Sequence, residues 1–71
     1  MNKCYRVDYY GNHDSDYIWC ADDMAAIEEA MQMAKKGIDY ADIGHCDLEL
    51  CQVVEVDDNS EFFDDLRVIW Y

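Results

Sequence analysis

The sequence contains no proline, only three glycines and no long apolar run. Linkers and disordered segments are rich in proline, glycine and serine, so these shortages favour a compact chain with regular structure. No stretch approaches the roughly 20 apolar residues of a membrane-spanning helix. The first residues also lack the apolar segment of a secretory signal peptide. We therefore expect a cytoplasmic protein.

Basic residues are also scarce: five lysines and arginines stand against 17 aspartates and glutamates, and the net charge is -12. A surface this negative repels the phosphates that dominate nucleic-acid affinity and the anionic lipids of a membrane surface. The 71 residues are 52% apolar and 14% aromatic, which is enough for one hydrophobic core. We expect one small acidic domain over residues 1–71 that binds neither nucleic acid nor membrane directly.

The chain is organised around one amphipathic helix, predicted from Asp22 to Lys36. Its apolar residues recur every three or four positions, which is the spacing of one helical face. That face consists of Met24, Ile27, Met31 and Ala34, widened by Ala26 and Ala30. Acids at the start of the helix, lysines at its end and Gly37 just beyond agree with the capping and dipole preferences of helices.

Sequence on both sides of the helix is typical of β-strands. Apolar and polar residues alternate along residues 3–10 and 16–21, and turn-forming residues lie between them, which predicts a hairpin. After the helix, the clearest strand spans Cys46 to Asp57, and a last strand lies within residues 61–71. The order ββαββ predicts an α+β fold, a four-stranded sheet with the amphipathic helix packed on one face.

Three further expectations follow from this order of elements. The crossover through the helix should place the second and third strands parallel. Residues 38–45 should form a connection whose Tyr40 and Ile43 fold back onto the core. Because one helix cannot cover both faces of a sheet, the other face should be wet and largely acidic. Three aromatic residues of the strands are expected in the core: Tyr5, Tyr17 and Trp19.

Cysteine and histidine are the residue types that bind zinc, but their spacing here is not that of a zinc site. The candidate ligands are His13, Cys20, His45, Cys46 and Cys51. Structural zinc sites usually contain close pairs such as Cys-x2-Cys, and the sequence has none. Thiols of the cytoplasm stay reduced. We therefore expect four reduced, mostly buried cysteines and no zinc.

The spacing Asn12-x-Asp14-x-Asp16 is that of the first oxygen ligands of a calcium loop. Tyr17 stands where such a loop needs glycine, and Asp23 replaces its bidentate glutamate. A dedicated calcium site is therefore not predicted, and we expect neither a metal nor another cofactor.

Catalysis by a cysteine nucleophile is also disfavoured. A reactive thiol needs a positive neighbourhood that lowers its pKa, whereas the negative field of this chain raises the pKa of a thiol. So small a domain also has little room for a ligand cavity of several hundred cubic ångströms. We expect a non-enzymatic protein without catalytic residues.

The acidic residues remain as candidates for function. Alternate residues of a strand recur about every 6.8 Å, so Asp47, Glu49, Glu55 and Asp57 are predicted to form a rigid row of carboxylates. A first partner-binding cluster is expected to join this row to neighbouring acids: Asp22, Asp23, Asp47, Glu49, Glu55, Asp57, Asp58 and Glu61. A second cluster is expected at the opposite end of the sheet: Asp14, Asp16, Asp39 and Asp42. The alternative is that the acids only keep a small protein soluble.

The chain resembles the small acidic inhibitors of phages and mobile elements that act against bacterial defence, of which anti-CRISPR proteins are the best-known class. The resemblance rests on size, charge, the passage from Trp19-Cys20-Ala21-Asp22-Asp23 into the helix, and the acidic strand from Asp47. It is a resemblance of type, without a shared motif or fold. It implies stoichiometric binding to a basic, nucleic-acid-binding protein or complex in the host bacterial cell, and it assigns no role to any residue.

Two other classes of protein remain open. One is a structural or regulatory interaction module, or a homodimer, that associates through an exposed sheet edge and uses its acids only for solubility. Its affinity should change little with salt, whereas an acidic mimic should bind less tightly as salt screens the ion pairs. The other is a zinc or redox domain, whose fold should be lost on chelation of the metal.

Overall fold

The computed structural model describes residues 2–11 and 13–71. The elements in chain order are β1 (Lys3–Tyr9), β2 (Asp16–Cys20), α1 (Asp23–Lys36), β3 (Ile38–Tyr40), β4 (Gly44–Cys46), β5 (Leu50–Val56) and β6 (Asp65–Trp70). The fold is α+β: α1 packs on a four-stranded antiparallel sheet with the strand order β2-β1-β5-β6. A separate two-stranded sheet pairs β3 with β4.

The β3–β4 hairpin corrects the predicted order ββαββ, because it inserts two short strands where a connection was expected. Tyr40 and Ile43 do not fold back onto the core: they are 44% and 69% exposed. Strands of three residues are too short to show the alternation from which a strand is predicted. Gly44, with a φ of 84°, follows the turn that joins them.

The second and third strands of the main sheet, β2 and β5, are parallel as expected, but they are not neighbours in the sheet. Both β2 and β5 pair antiparallel with β1, which lies between them. They therefore run in the same direction on opposite sides of β1. The central position of β1 explains its burial, since Tyr5 and Val7 are completely buried.

The helix ends at Lys36 as predicted and begins at Asp23, one residue after the predicted start. The Asp22 side chain caps α1 by accepting a hydrogen bond from the Ala25 N–H at 2.9 Å, and the Gly37 N–H donates to the Met33 carbonyl beyond the other end. The predicted apolar face is confirmed for its alanines and is wrong for its two methionines. The buried face consists of Ala26, Ala30 and Ala34, whereas Met24 and Met31 are 72% and 46% exposed.

The alanine face of α1 brings the helix close to the centre of the sheet. Its small side chains leave space between the helix and the sheet, and the rings of Tyr5 and Tyr9 fill this space. Both hydroxyl groups still find partners: Tyr5 donates to Asp23 at 2.8 Å, and Tyr9 donates to Asp16 at 2.9 Å. Buried tyrosines usually satisfy their hydroxyls in this way.

A bulge in β5 changes which residues lie on the two faces of the sheet. Tyr9 pairs with Leu50 and Asp8 pairs with Gln52, so Cys51 is an extra residue in β5. Leu50 and Val53 consequently share the helix side of the sheet. A strand that alternated regularly would have placed them on opposite sides.

The face of the sheet opposite α1, called the open face below, is therefore not the acidic surface that was expected. Val54 and Val56 lie there with Cys4, and all three are buried. Phe63, from the connection between β5 and β6, packs against them. Phe63 has a φ of 51°, a backbone conformation that costs about 1–2 kcal/mol for a side chain with a Cβ. The apolar contact under its ring offsets that cost.

We predict that Gly37→Ala destabilises the fold far more than Gly44→Ala. Both glycines have positive φ, but a Cβ on Gly37 would lie 2.1 Å from the Cys46 carbonyl oxygen, whereas Gly44 has open space. Gly44→Ala should lower the free energy of unfolding by about 1 kcal/mol, and Gly37→Ala by about 3 kcal/mol or more. Urea denaturation measures both; equal losses would show that α1 and β4 do not approach this closely.

Candidate functional site

The structure separates the predicted row of carboxylates. Because β5 begins at Leu50, Asp47 and Glu49 lie before the strand and Asp57 lies after it. Glu55 is the one member of the row within β5. The prediction of a regular row is wrong, because it assumed one uninterrupted strand over Cys46 to Asp57.

The first predicted cluster is instead divided between the two ends of the sheet. Asp22, Asp57 and Asp58 lie at the end where β1 begins, since Lys3 pairs with Cys20 and Cys4 pairs with Val56. Glu49 lies at the other end, where its carbonyl accepts a hydrogen bond from the Tyr10 N–H at 2.9 Å. Asp47 is joined through His45 to Asp39 of the second cluster. The remaining second-cluster acids lie at this same end: Asp14 before β2, Asp16 at the start of β2, and Asp42 in the hairpin turn.

Asp23 and Glu55 of the first cluster are engaged by Arg67. The Arg67 guanidinium lies 2.8 Å from Asp23 and 2.7 Å from Glu55, and the Glu55 side chain is only 14% exposed. Hydrogen bonds from Tyr5 and then from Arg67 lower the pKa of Asp23. These two carboxylates therefore join α1, β5 and β6 inside this chain.

A second arginine is neutralised at the centre of the open face. Arg6 lies 2.9 Å from Asp8 and 2.6 Å from Asp65, and these contacts raise its pKa. Burial alone would raise the pKa of Asp8, but hydrogen bonds from Arg6, Ser15 and Gln52 outweigh it and lower that pKa. With both arginines paired, the outer surface keeps few free cations. The other bases, which form no ion pair within the described ranges, are Lys3, Lys35 and Lys36.

Tyr17 and Trp19, which were expected in the core, lie on the open face beside Phe63. Tyr17 and Trp19 are 44% and 51% exposed, and they alternate along β2 with buried Ile18 and Cys20. Tyr17 meets Phe63 edge to face, with ring centroids 5.1 Å apart. We call Tyr17, Trp19 and Phe63 the aromatic patch. The alternation in β2 could have revealed it, had the side covered by α1 been known.

The aromatic patch is bordered by acids of the connection between β5 and β6. The Trp19 Nε1–H donates to Asp58 Oδ2 at 3.4 Å. The backbone of this connection, residues 57–64, is closed by hydrogen bonds from Asp57 N–H to the Asp64 carbonyl at 2.9 Å and from Ser60 N–H to the Asp57 carbonyl at 3.1 Å. We call residues 57–64 the acidic turn. These bonds hold the backbone of the acidic turn in one conformation.

His45 connects two carboxylates at the opposite end. Its Nδ1 lies 2.7 Å from Asp39 and its Nε2 lies 2.9 Å from Asp47. A carboxylate can only accept a hydrogen bond, so both ring nitrogens donate in this arrangement only when the ring is protonated. The hydrogen bonds to Asp39 and then to Asp47 raise the pKa of His45.

The four cysteines are free: Cys4 and Cys20 are buried, and Cys46 and Cys51 are half-buried. Burial, followed by a hydrogen bond to Glu29, raises the pKa of the Cys20 thiol to about 11. Burial also raises the pKa of Cys4. Both thiols are therefore protonated at neutral pH and are poor nucleophiles.

Within the ranges that the structure covers, no three residues among His, Cys, Asp and Glu are grouped to hold a metal ion. Asn12, the first residue of the calcium-loop spacing, lies outside the described residues. The same part of the chain contains no detectable pocket. Its one helix is neither long nor apolar enough to cross a membrane. Comparisons with protein-family models, curated proteins and solved structures find no match to this chain.

We predict that Asp47→Asn lowers the pKa of His45 and weakens the β3–β4 hairpin in acidic solution. Since the pKa of His45 is raised on folding, its contribution to stability is complete below the ordinary value of about 6.5 and disappears as the pH rises through the raised value. Titration of the His45 ring by NMR measures the pKa, and amide exchange in the hairpin measures its stability.

Asp42→Asn is the matched control, because Asp42 lies in the turn of the same hairpin and carries the same charge. It should leave the pKa of His45 close to that of the unmodified protein. The same titration curve in all three proteins would contradict the double contact of His45.

Proposed function

We propose that the chain is a non-enzymatic inhibitor that binds a basic, nucleic-acid-binding protein or complex in the cytoplasm of a bacterial host, as the anti-CRISPR-like inhibitors do. The observation that carries this proposal is that both arginines are paired within the chain. Arg6 and Arg67 are each held by two carboxylates of the same chain. A net charge of -12 is thus presented by a surface on which lysines are the remaining cations.

The acidic turn supports this function better than the predicted strand row does. Four acids lie within its eight residues: Asp57, Asp58, Glu61 and Asp64. Hydrogen bonds from Asn59 N–H to Asp57 and from Ser60 Oγ–H to Asp64 add to its closed backbone. Preorganised carboxylates lose little freedom on binding, and a dense negative surface accelerates association with a basic partner.

The exposed aromatic side chains favour a second candidate, an interaction module that binds through an apolar surface. Its sheet-edge form is disfavoured at β6, where the pairing with β5 contains two irregularities. Bulges are one of the features that hinder the pairing of an edge strand with another chain. Its homodimer form requires two chains of charge -12 to associate against their mutual repulsion.

We predict that the tagged protein retains a basic nucleic-acid-binding complex from a bacterial lysate at about 0.05 M salt and releases most of it at about 0.5 M, because salt screens the ion pairs. Parallel washes followed by mass spectrometry identify the retained proteins. A specific partner held equally at both salt concentrations would instead support the apolar interaction module.

We further predict that the double substitution Asp58→Lys and Glu61→Lys weakens binding of that partner by about tenfold or more, because buried interfacial charges oppose each other when one sign is reversed. The control is Asp14→Lys with Asp42→Lys, which changes the net charge by the same amount at the other end of the sheet. All four positions are exposed. Equal losses in the two variants would show that total charge matters and the acidic turn does not.

A further inference from the structure

The open face and the acidic turn each carry an aromatic side chain that is more than half exposed. Trp19 is 51% exposed although it lies on a regular strand, and Phe62 in the acidic turn is 81% exposed. Tryptophan and tyrosine are the residues most enriched in the energetically dominant centres of protein interfaces. Grouped aromatic residues at the surface therefore indicate a contact site.

A carboxylate lies at the edge of the same indole ring. Asp58 Oδ2 is 3.4 Å from Trp19 Nε1, so a cation stacked over the face of the ring is also within reach of the Asp58 charge. A cation within about 6 Å of an indole centroid is attracted by the ring. The aromatic patch and the acidic turn thus offer stacking and ion pairing to one group.

We propose that the aromatic patch and Asp58 bind an arginine side chain of the basic partner. This inference rests on the proposed function for the nature of the partner and names the surface that meets it. Arginine fits better than lysine, because its planar guanidinium stacks on an aromatic ring while its N–H groups donate to a carboxylate. The arginine would occupy the face of Trp19, with Asp58 accepting hydrogen bonds from the guanidinium.

The charge around the patch argues against other occupants. Arg6, the cation at the centre of the open face, is paired with Asp8 and Asp65, so it does not repel an incoming guanidinium. Stacked nucleic-acid bases need a positive groove for their phosphates, and the acidic turn provides the opposite charge. A second copy of the chain would bring a further charge of -12 to the same place.

An oligo-arginine peptide and an oligo-lysine peptide of equal length test this proposal directly. The intact protein is titrated with each peptide at low salt and observed by NMR. We expect oligo-arginine to shift the Trp19 indole N–H and the amides of Tyr17 and Phe63. Oligo-lysine should bind about tenfold more weakly at these residues, because it lacks the planar stacking group.

Matched substitutions separate the patch from the general negative charge. Trp19→Ala and Asp58→Asn should each weaken binding of oligo-arginine by about tenfold. Tyr40→Ala and Asp42→Asn are the controls: Tyr40 is 44% exposed, as Tyr17 is, and both controls lie in the β3–β4 hairpin. The dispersion of the amide spectrum shows whether each variant is folded. If Trp19→Ala does not fold, binding of oligo-arginine to Asp58→Asn still tests the proposal.

Several results would overturn the proposal. These are equal affinity for the two peptides, peptide shifts confined to the hairpin, no peptide binding at all, or shifts of the patch that depend on protein concentration alone and so reveal a second copy. Failure of the patch can be distinguished from failure of the proposed function. If the lysate partner is lost at high salt but Trp19→Ala and Asp58→Asn still retain it, the inhibitor hypothesis stands and the patch is excluded.

Discussion

The close contact between α1 and the central strand is the interaction on which the rest of the structure depends. Three alanines lie against a sheet surface that includes Tyr5, Val7 and Tyr9. Because the alanines are small, the tyrosine rings fit in the core while their hydroxyls reach Asp23 and Asp16. The helix, its first turn and the hairpin β1–β2 are thereby held in one arrangement.

The same contact determines what is left exposed. One helix covers one face, so the open face must be protected by other means. The bulge at Cys51 moves Val54 and Val56 to that face, and the acidic turn places Phe63 over them. The cover is partial: Tyr17 and Trp19 lie at its border and remain about half exposed. The position of the aromatic patch beside the carboxylates of the acidic turn is thus a consequence of how the open face is covered.

Electrostatics separates the carboxylates that support the fold from those available to a partner. Both arginines bridge to β6, the outer strand that buries the fewest side chains: Arg6 reaches Asp65, and Arg67 reaches Asp23 and Glu55. Exposed ion pairs contribute little individually, but here each guanidinium connects β6 to the sheet or to α1. The acids that remain unpaired lie mainly in turns, where the backbone and not a strand determines their spacing.

Local patterns in the sequence determined the helix, its caps and the strands of the main sheet, because each depends on neighbouring residues. The composition determined the excess of negative charge. The side of α1 that is buried was decided by tertiary packing, since a periodic pattern cannot show whether alanines or methionines fit a given surface. The bulge at Cys51 also depends on pairing with β1, and it places Val53 on the helix side of the sheet. The positions of Trp19 and Asp58 side by side required the acidic turn to fold over the open face, a contact between residues 39 apart in sequence. Contacts at such separation leave no periodic signal, so the composition of the surface was predictable while its arrangement was not.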